Sequence, residues 1–149
     1  MKDLLQEKNV QIVDSVKDWV EAIHIAVSPL VSEGYVERRY IDGIIENTYQ
    51  FGPYYVLCEN LALLHARPEQ GVISRQVAIT LLRNPIKFKE DGCDVCLLLT
   101  LAASDSQSHL EVMKAIATIF SDSNRVQQLI HAKSSTDIYK QFMEAGEHA

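Results

Sequence analysis

The sequence places one histidine, His65, between the apolar run LALL and an Arg-Pro-Glu turn. An imidazole that accepts a phosphoryl group must be neutral with one nitrogen open, so its other nitrogen needs an acceptor such as a backbone carbonyl. A strand-to-turn junction supplies such carbonyls. The transferred group spreads its charge over three oxygens, and Arg67 offers them a bidentate cation. His65 and Arg67 are therefore candidate site residues, and the alternative is a surface histidine without chemistry.

A second candidate, His109, lies in the first turn of a predicted helix that is entered through SDSQS. Unpaired N–H groups and the positive end of the helix dipole favour an anion there. The helix follows a predicted central strand, and ligand sites collect at the carboxyl edge of such sheets. If the strand before His65 ends at the same edge, the two imidazoles flank one shallow pocket. The hydroxyl donors of this pocket would be Ser104, Ser106 and Ser108. The alternative for His109 is a solvent-exposed histidine at a helix start, without a function in a site.

The elements that must hold these residues follow from hydrophobic periodicity. Two helices are predicted first, over residues 15–32 and 38–49, and strands over residues 54–58, 73–82 and 93–104. The last strand is an apolar run typical of burial on both faces. Three helices follow, over residues 104–122, 124–132 and 136–144. This order predicts an α/β class fold, a single-domain sandwich with a mixed β-sheet flanked by helices.

Two finer expectations concern the later helices. The helix over residues 104–122 should bury one face, and Ser134 is spaced to cap the last helix by a capping-box arrangement. The buried face is predicted to carry Leu110, Met113, Ile116, Ala117 and Phe120.

Length and charge exclude several classes of function. A chain of 149 residues suits one domain over residues 1–149, with a packed core. The net charge of -6 argues against non-specific nucleic acid binding and against anionic membranes. The sequence has neither an apolar run long enough to span a bilayer nor a signal peptide, so we expect a cytoplasmic protein without direct membrane insertion.

The cysteines and the remaining histidines receive structural interpretations. Cys58, Cys93 and Cys96 are expected to be reduced, because three thiols cannot complete a disulfide framework. Cys93 and Cys96 have the spacing of a redox or zinc half-motif, but on a strand residues i and i+3 point to opposite faces, so core packing is favoured. No chemistry and no metal are assigned to the other histidines, which are His24, His131 and His148.

The segment FGPYYVLCENLALLHARPEQGV, residues 51–72, resembles the active-site segment of the EIIA components of the bacterial phosphoenolpyruvate-dependent sugar phosphotransferase system (PTS). The resemblance is to the mannitol/fructose type and, within it, to ascorbate-specific EIIA. It extends over essentially the whole chain and implies a mannitol-type EIIA fold. It also implies a phosphorelay without cofactor, in which the histidine corresponding to His65 accepts a phosphoryl group on its tele nitrogen.

In that family the donor is phospho-HPr and the acceptor is a cysteine of the EIIB component, which then phosphorylates a sugar taken up by the membrane component EIIC. The resemblance implies that His109 is the auxiliary histidine. It leaves the sugar open, with ascorbate, pentitols and other sugar acids as candidates. Two successive protein partners imply a shallow site with an apolar rim and weak interfaces.

Three positions depart from the family pattern. Leu64 stands where the ascorbate-type proteins have proline, so the turn loses a fixed φ. Asn60 replaces a glycine, and asparagine is the non-glycine residue that best tolerates a left-handed backbone. Asn47 replaces an arginine of the mannitol-type proteins, which leaves Arg67 as the phosphate-facing cation.

Two other functions stay open on the sequence. The same fold could serve as a regulatory module whose phosphorylation state controls binding to a transcription factor or an enzyme. A metal-dependent hydrolase using His65, His109 and Asp105 would need at least three convergent ligands and an open coordination position.

Overall fold

The computed structural model describes residues 1–147, which form one mixed five-stranded sheet covered by helices on both faces. The predicted single-domain α/β sandwich is confirmed. In chain order the elements are β1 (Leu5–Val13), α1 (Trp19–Ser32), α2 (Arg39–Phe51), β2 (Val56–Cys58), β3 (Asn60–Leu64), a 3₁₀ turn (Pro68–Gln70), β4 (Gln76–Lys87), β5 (Asp94–Ala102), α3 (Ser106–Phe120), α4 (Ser123–Ile130) and α5 (Ser135–Glu147).

The sheet has the strand order β1-β4-β5-β3-β2. β3 and β5 run parallel, as do β1 and β4, whereas β4 pairs antiparallel with β5 and β2 with β3. One face packs against α1 and α2, and the other against α3, α4 and α5. Because β5 lies at the centre with both faces covered, its apolar residues are buried, as the sequence predicts.

The first strand was not predicted, and the expected order of helices, strands and helices is therefore wrong at its start. β1 has the sequence LQEKNVQIV, with exposed charged residues near its beginning. An irregularity between Leu5 and Val10 in its pairing with β4 breaks the alternation of buried and exposed positions. An edge strand with a bulge gives neither periodic signal in the sequence.

Helix α3 is present, but its predicted inner face is only partly right. Ile116 is buried, whereas Leu110 is 47% exposed and Ala117 is exposed. The face that packs on the sheet is carried by Ser108, Val112, Ala115, Ile116 and Ile119. The predicted cap of α5 is confirmed, since the Ser134 hydroxyl accepts a hydrogen bond from the Asp137 backbone N–H at 3.1 Å.

The three cysteines are free thiols, as expected. Cys96 lies in β5 and is buried, which raises its pKa to about 11, so it stays protonated near neutral pH. Cys93 precedes β5 and is half-buried. The core-packing interpretation of Cys96 is therefore confirmed.

Candidate functional site

The two candidate histidines meet at the carboxyl edge of the sheet. β3 and β5 are parallel and in register, with Leu64 opposite Thr100. His65 follows the last residue of β3, and His109 lies in the first turn of the helix that follows β5. Their ring centroids are 6.1 Å apart and the rings are inclined by 74°. The predicted juxtaposition of the two imidazoles is therefore present in the structure.

Both rings line one open pocket of about 500 Å³. His65 is half-buried and His109 is exposed, so neither ring is sealed in the core. The pocket wall is largely apolar, and Phe51 at its rim is 62% exposed. Its other lining residues include Tyr40, Asn47, Tyr54, Ala66, Arg67, Pro68, Leu101, Ser104 and Asp105.

The imidazole of His65 is held in one tautomer by its own strand. Its Nδ1 lies 2.7 Å from the carbonyl oxygen of Leu63. A carbonyl only accepts hydrogen bonds, so in the neutral ring Nδ1 carries the proton and the lone pair is on Nε2. The ring of Tyr54 packs edge-on against the imidazole, with centroids 5.3 Å apart. The backbone acceptor expected for a nucleophilic histidine is therefore in place.

The left-handed residue at the start of β3 explains one departure from the family pattern. Asn60 has φ of 74°, a conformation that favours glycine and that asparagine tolerates best among other residues. Leu64 is fully buried and pairs within the sheet, so the residue before His65 is fixed by β3 rather than by a proline ring. Both substitutions are thus compatible with the local backbone.

The loop after His65 is tied to α2 by a pair of amides. The Asn47 Nδ2 donates to Gln70 Oε1 at 3.0 Å, and the Gln70 Nε2 donates back to Asn47 Oδ1 at 3.3 Å. Gln70 Oε1 also accepts from the backbone N–H of Arg67 at 3.0 Å. Asn47 therefore fixes the loop that carries Arg67.

Arg67 lies at the rim of the pocket and is paired with a neighbouring carboxylate. Its side chain is 59% exposed, and its Nε donates to Glu69 Oε1 at 3.1 Å. An exposed ion pair of this kind contributes little to stability, so an anion arriving in the pocket can compete for the guanidinium.

The start of α3 is occupied by a carboxylate of the chain itself. Asp105 caps the helix by accepting hydrogen bonds from the Ser108 backbone N–H at 2.7 Å and hydroxyl at 3.0 Å. These bonds, with the nearby Arg75 guanidinium, hold the pKa of Asp105 below its ordinary value. A negative charge thus lines the pocket, and an anionic group bound there requires cationic or polar donors opposite it.

The three serines expected as hydroxyl donors are placed differently. Ser104 lines the pocket, but Ser108 is buried and its hydroxyl also accepts from Arg75 Nη1 at 3.3 Å. Ser106 is exposed at the start of α3. Sequence reasoning missed Arg75, because it precedes β4 and nothing in its neighbours indicates that β4 starts at the same edge as the site.

The other histidines lie outside this pocket. His24 is exposed on α1, and His131 is exposed at the end of α4, with its Nδ1 2.9 Å from the Gln127 carbonyl oxygen. His148 lies outside the described residues. Within residues 1–147, the side chains form no group of three His, Cys, Asp or Glu that could hold a metal ion, so the hydrolase hypothesis lacks a ligand set there.

Comparison with known proteins decides the family. Residues 3–145 match the model of the phosphoenolpyruvate-dependent sugar phosphotransferase system, EIIA 2. The chain belongs to this family. It is a phosphotransferase component of the phosphohistidine-carrying type, and the resemblance inferred from residues 51–72 is confirmed.

Three similar EIIA proteins illustrate the family, and two of them are named for different sugars. The phosphotransferase IIA component SgcA of Escherichia coli K12 is 39% identical over 133 residues, 89% of this chain and 93% of SgcA. The ascorbate-specific EIIA component of the same strain is 34% identical over 137 residues, 91% of this chain and 89% of that protein. The solution structure of the mannitol-specific cryptic enzyme IIA CmtB from Escherichia coli is 30% identical with a TM-score of 0.85, covering 96% of this chain and 97% of CmtB. The same EIIA type thus occurs in proteins named for different sugars.

Among residues 1–147, no helix has the length and apolar character needed to cross a bilayer.

Proposed function

We propose that this EIIA component relays a phosphoryl group through Nε2 of His65, with His109 and Arg67 stabilising the group in transit. The observation that carries the proposal is the bond between His65 Nδ1 and the Leu63 carbonyl in a pocket shared with a second imidazole. It leaves Nε2 as the open nucleophile. The sequence assignments of His65, His109 and Arg67 are consistent with this geometry.

The transfer is an in-line displacement at phosphorus. The lone pair of Nε2 forms the new N–P bond while the N–P bond of phosphohistidine in the donor breaks, and the donor imidazole keeps that electron pair. In the second transfer a cysteine thiolate of the acceptor forms an S–P bond, and the N–P bond on His65 breaks. Nδ1 keeps its proton throughout, because the Leu63 carbonyl holds it.

The charge that develops on the phosphoryl oxygens needs donors close to His65. His109 presents its imidazole from α3, and Arg67 reaches the pocket rim two residues after the nucleophile. Such donors matter most when they face the position where charge develops in the transition state. The Asp105 carboxylate in the same pocket increases the need for them.

As partners we propose phospho-HPr as donor and a cysteine of the cognate EIIB as acceptor. The membrane component EIIC would then take up the sugar, and the EIIA step would take place in the cytoplasm. A mannitol enzyme IIA with the same fold has been solved in complex with phosphorylated enzyme IIB. Exposed apolar side chains around the pocket support docking of protein partners. These are Phe51 and Tyr54, which line the pocket and are 62% and 37% exposed.

For the transported substrate we propose ascorbate or a related sugar acid or pentitol. The support is the 34% identity to an ascorbate-specific component, together with the His-Ala-Arg-Pro-Glu run. EIIA does not contact the sugar, so the choice is tested by asking which purified EIIB takes the phosphoryl group from this protein. Failure of an ascorbate-type EIIB, with success of another type, would contradict the substrate proposal and leave the relay intact.

The relay is tested by incubating the protein with phosphoenolpyruvate, enzyme I and HPr. We expect one acid-labile phosphoryl adduct, which is absent in His65→Ala and retained in His131→Ala. His131 is a matched control, because its Nδ1 also lies beside a backbone carbonyl while its ring does not line the pocket. Labelling that persists in His65→Ala would contradict the proposal.

A further inference from the structure

The peptide group that joins His65 to Ala66 is held at both of its polar atoms by tyrosine hydroxyls. The Tyr54 hydroxyl donates to the carbonyl oxygen of His65. The Tyr40 hydroxyl accepts from the backbone N–H of Ala66 at 3.0 Å. A peptide group is planar, so fixing its oxygen and its N–H fixes the whole unit that follows the imidazole-bearing carbon. The two tyrosines act on one rigid element.

This peptide lies where the sheet no longer supplies hydrogen bonds. β3 ends at Leu64, and the 3₁₀ turn begins only at Pro68. Backbone polar groups in between require partners from elsewhere. The Tyr40 hydroxyl from α2 and the Tyr54 hydroxyl from the segment before β2 are these partners, and they bond the peptide next to the His65 ring.

Tyr40 connects this peptide to the neighbouring strand. Its hydroxyl donates to the carbonyl oxygen of Leu101 in β5 at 2.8 Å while accepting from Ala66. Tyr40 is fully buried, and burial raises its pKa to about 12, so the hydroxyl keeps the proton that it donates. β5 leads into Asp105 and α3, and therefore Tyr40 couples the His65 segment to the strand that precedes His109.

Tyr54 holds His65 in two ways. Its hydroxyl bonds the main chain, and its ring packs edge-on against the imidazole at 5.3 Å. The Leu63 carbonyl holds Nδ1 of the same ring. The imidazole is thus restrained by its ring nitrogen, by a ring contact and by the peptide that follows it.

We propose that Tyr40 and Tyr54 are positioning residues that clamp the His65–Ala66 peptide and keep the His65 imidazole oriented toward His109 and the incoming phosphoryl group. Neither hydroxyl is assigned a contact with the phosphoryl group itself. The proposal rests on the phosphorelay function proposed above. Leu64, the residue before His65, is fixed by its pairing in β3, and the two hydroxyls supply rigidity one residue later, where the strand pairing has ended.

The test compares three tyrosine-to-phenylalanine variants, which keep the rings and remove only the hydroxyls. Tyr40→Phe and Tyr54→Phe each release one atom of the peptide. Tyr55→Phe is the matched control: Tyr55 is fully buried and its hydroxyl bonds Thr48 Oγ1 at 2.9 Å, outside the pocket lining. Two measurements are made, the kinetics of phosphoryl transfer from phospho-HPr and the ¹⁵N spectrum of the histidine rings.

We expect Tyr40→Phe and Tyr54→Phe to lower the transfer rate at saturating phospho-HPr by about tenfold, because small displacements of a reacting group are costly. The KM for phospho-HPr should stay unchanged, since the ring surfaces remain. The ¹⁵N signals of the His65 ring should shift or broaden in both variants. Tyr55→Phe should keep the wild-type rate and His65 signals, even if its melting temperature falls as much as that of Tyr40→Phe.

Wild-type rates and unchanged His65 signals in both clamp variants would overturn the proposal, as would an equal loss of rate in Tyr55→Phe. If Tyr40→Phe does not fold, the proposal is decided by Tyr54→Phe with the same two measurements, because Tyr54 is partly exposed and its substitution perturbs the core less. A wild-type protein that takes no phosphoryl group on His65 would refute the relay instead. In that case the ring ¹⁵N signals still report on the clamp, so the two failures are distinguishable.

Discussion

Two histidines of this EIIA component make the same local hydrogen bond in different surroundings. His65, after β3, places Nδ1 2.7 Å from the Leu63 carbonyl oxygen. His131, at the end of α4, places Nδ1 2.9 Å from the Gln127 carbonyl oxygen. In the neutral form each ring therefore leaves Nε2 open. The bond that selects the tautomer does not by itself make a phosphoryl carrier.

The surroundings of the two rings differ in the donors they offer. His65 is half-buried in a pocket of about 500 Å³, with a second imidazole at a centroid distance of 6.1 Å and two tyrosines on its backbone peptide. His131 is exposed on the surface of α4. A transferred phosphoryl group would find preorganised donors at the first position and water at the second. A phosphoryl carrier requires the convergence of several elements, and the sheet edge brings them together around His65.

The largest effect, after loss of His65 itself, is expected from removing the second imidazole. His109→Ala should lower the rate of phosphoryl transfer by about a hundredfold, since it removes a donor aimed at the transferred group. His24→Ala is the control, because His24 is exposed on α1 and does not line the pocket. Rapid-quench measurement of the His65 adduct gives the rate. Equal rates for His109→Ala and His24→Ala would show that the second imidazole does not aid transfer. The surroundings of His65 would then offer no advantage from it over those of His131.

Removing the rim cation should have a smaller effect. Arg67→Ala is expected to slow transfer by roughly fivefold to tenfold, because a charge-assisted hydrogen bond to an anion is worth about 1.5 kcal/mol but Arg67 is partly screened by solvent. Arg125→Ala on α4, close in sequence to His131, is the control. The rates are compared at low and high salt, where the Arg67 effect should shrink. If Arg67→Ala and Arg125→Ala lose the same fraction of the transfer rate, Arg67 has no specific role at the site.

The parts of the site that sequence reasoning found are those that come with a local signal. His65 and Arg67 share one short run after an apolar strand, and His109 follows cap-forming residues at a helix start. The meeting of these two segments could be expected because parallel strands end at one edge, and β3 and β5 are parallel. The backbone acceptor for His65 followed from the strand-to-turn junction.

The remaining parts depend on tertiary contacts that leave no periodic signal. Tyr40 is one of several buried positions on α2, and its hydroxyl bonds residues that lie 26 and 61 positions away in the chain. Arg75 reaches Ser108 from the start of β4. β1 was missed because an edge strand with a bulge alternates poorly. Pairings between distant residues with ordinary side chains are invisible to pattern analysis of one sequence.

A third variant tests whether the hydrogen bonds between Asn47 and Gln70 order the loop that carries Arg67, in contrast to the exposed surface around His131. Asn47→Ala removes both amide hydrogen bonds to Gln70, and Asn47 is buried, so we expect the free energy of unfolding to fall by about 1 to 2 kcal/mol. Asn124→Ala, at an exposed position of α4, should change it by less than about 0.5 kcal/mol. Urea unfolding measures both. Equal small changes would show that the amide pair does not order the loop.

The smallest effect concerns the charge at the start of α3, which distinguishes the pocket from the open surface around His131. Hydrogen bonds from Ser108 hold the pKa of Asp105 below its ordinary 3.8. Because the folded pKa is lower than the unfolded one, the ionised carboxylate stabilises the fold above pH 3.8, and this contribution is lost as the pH falls through the folded pKa. Asparagine also caps helices but cannot ionise. Asp105→Asn should therefore be less stable than the wild type near neutral pH, with a difference that narrows in acid when urea unfolding is followed against pH. A difference independent of pH would mean that the Asp105 cap acts by geometry alone, and that its charge does not set this end of the pocket apart.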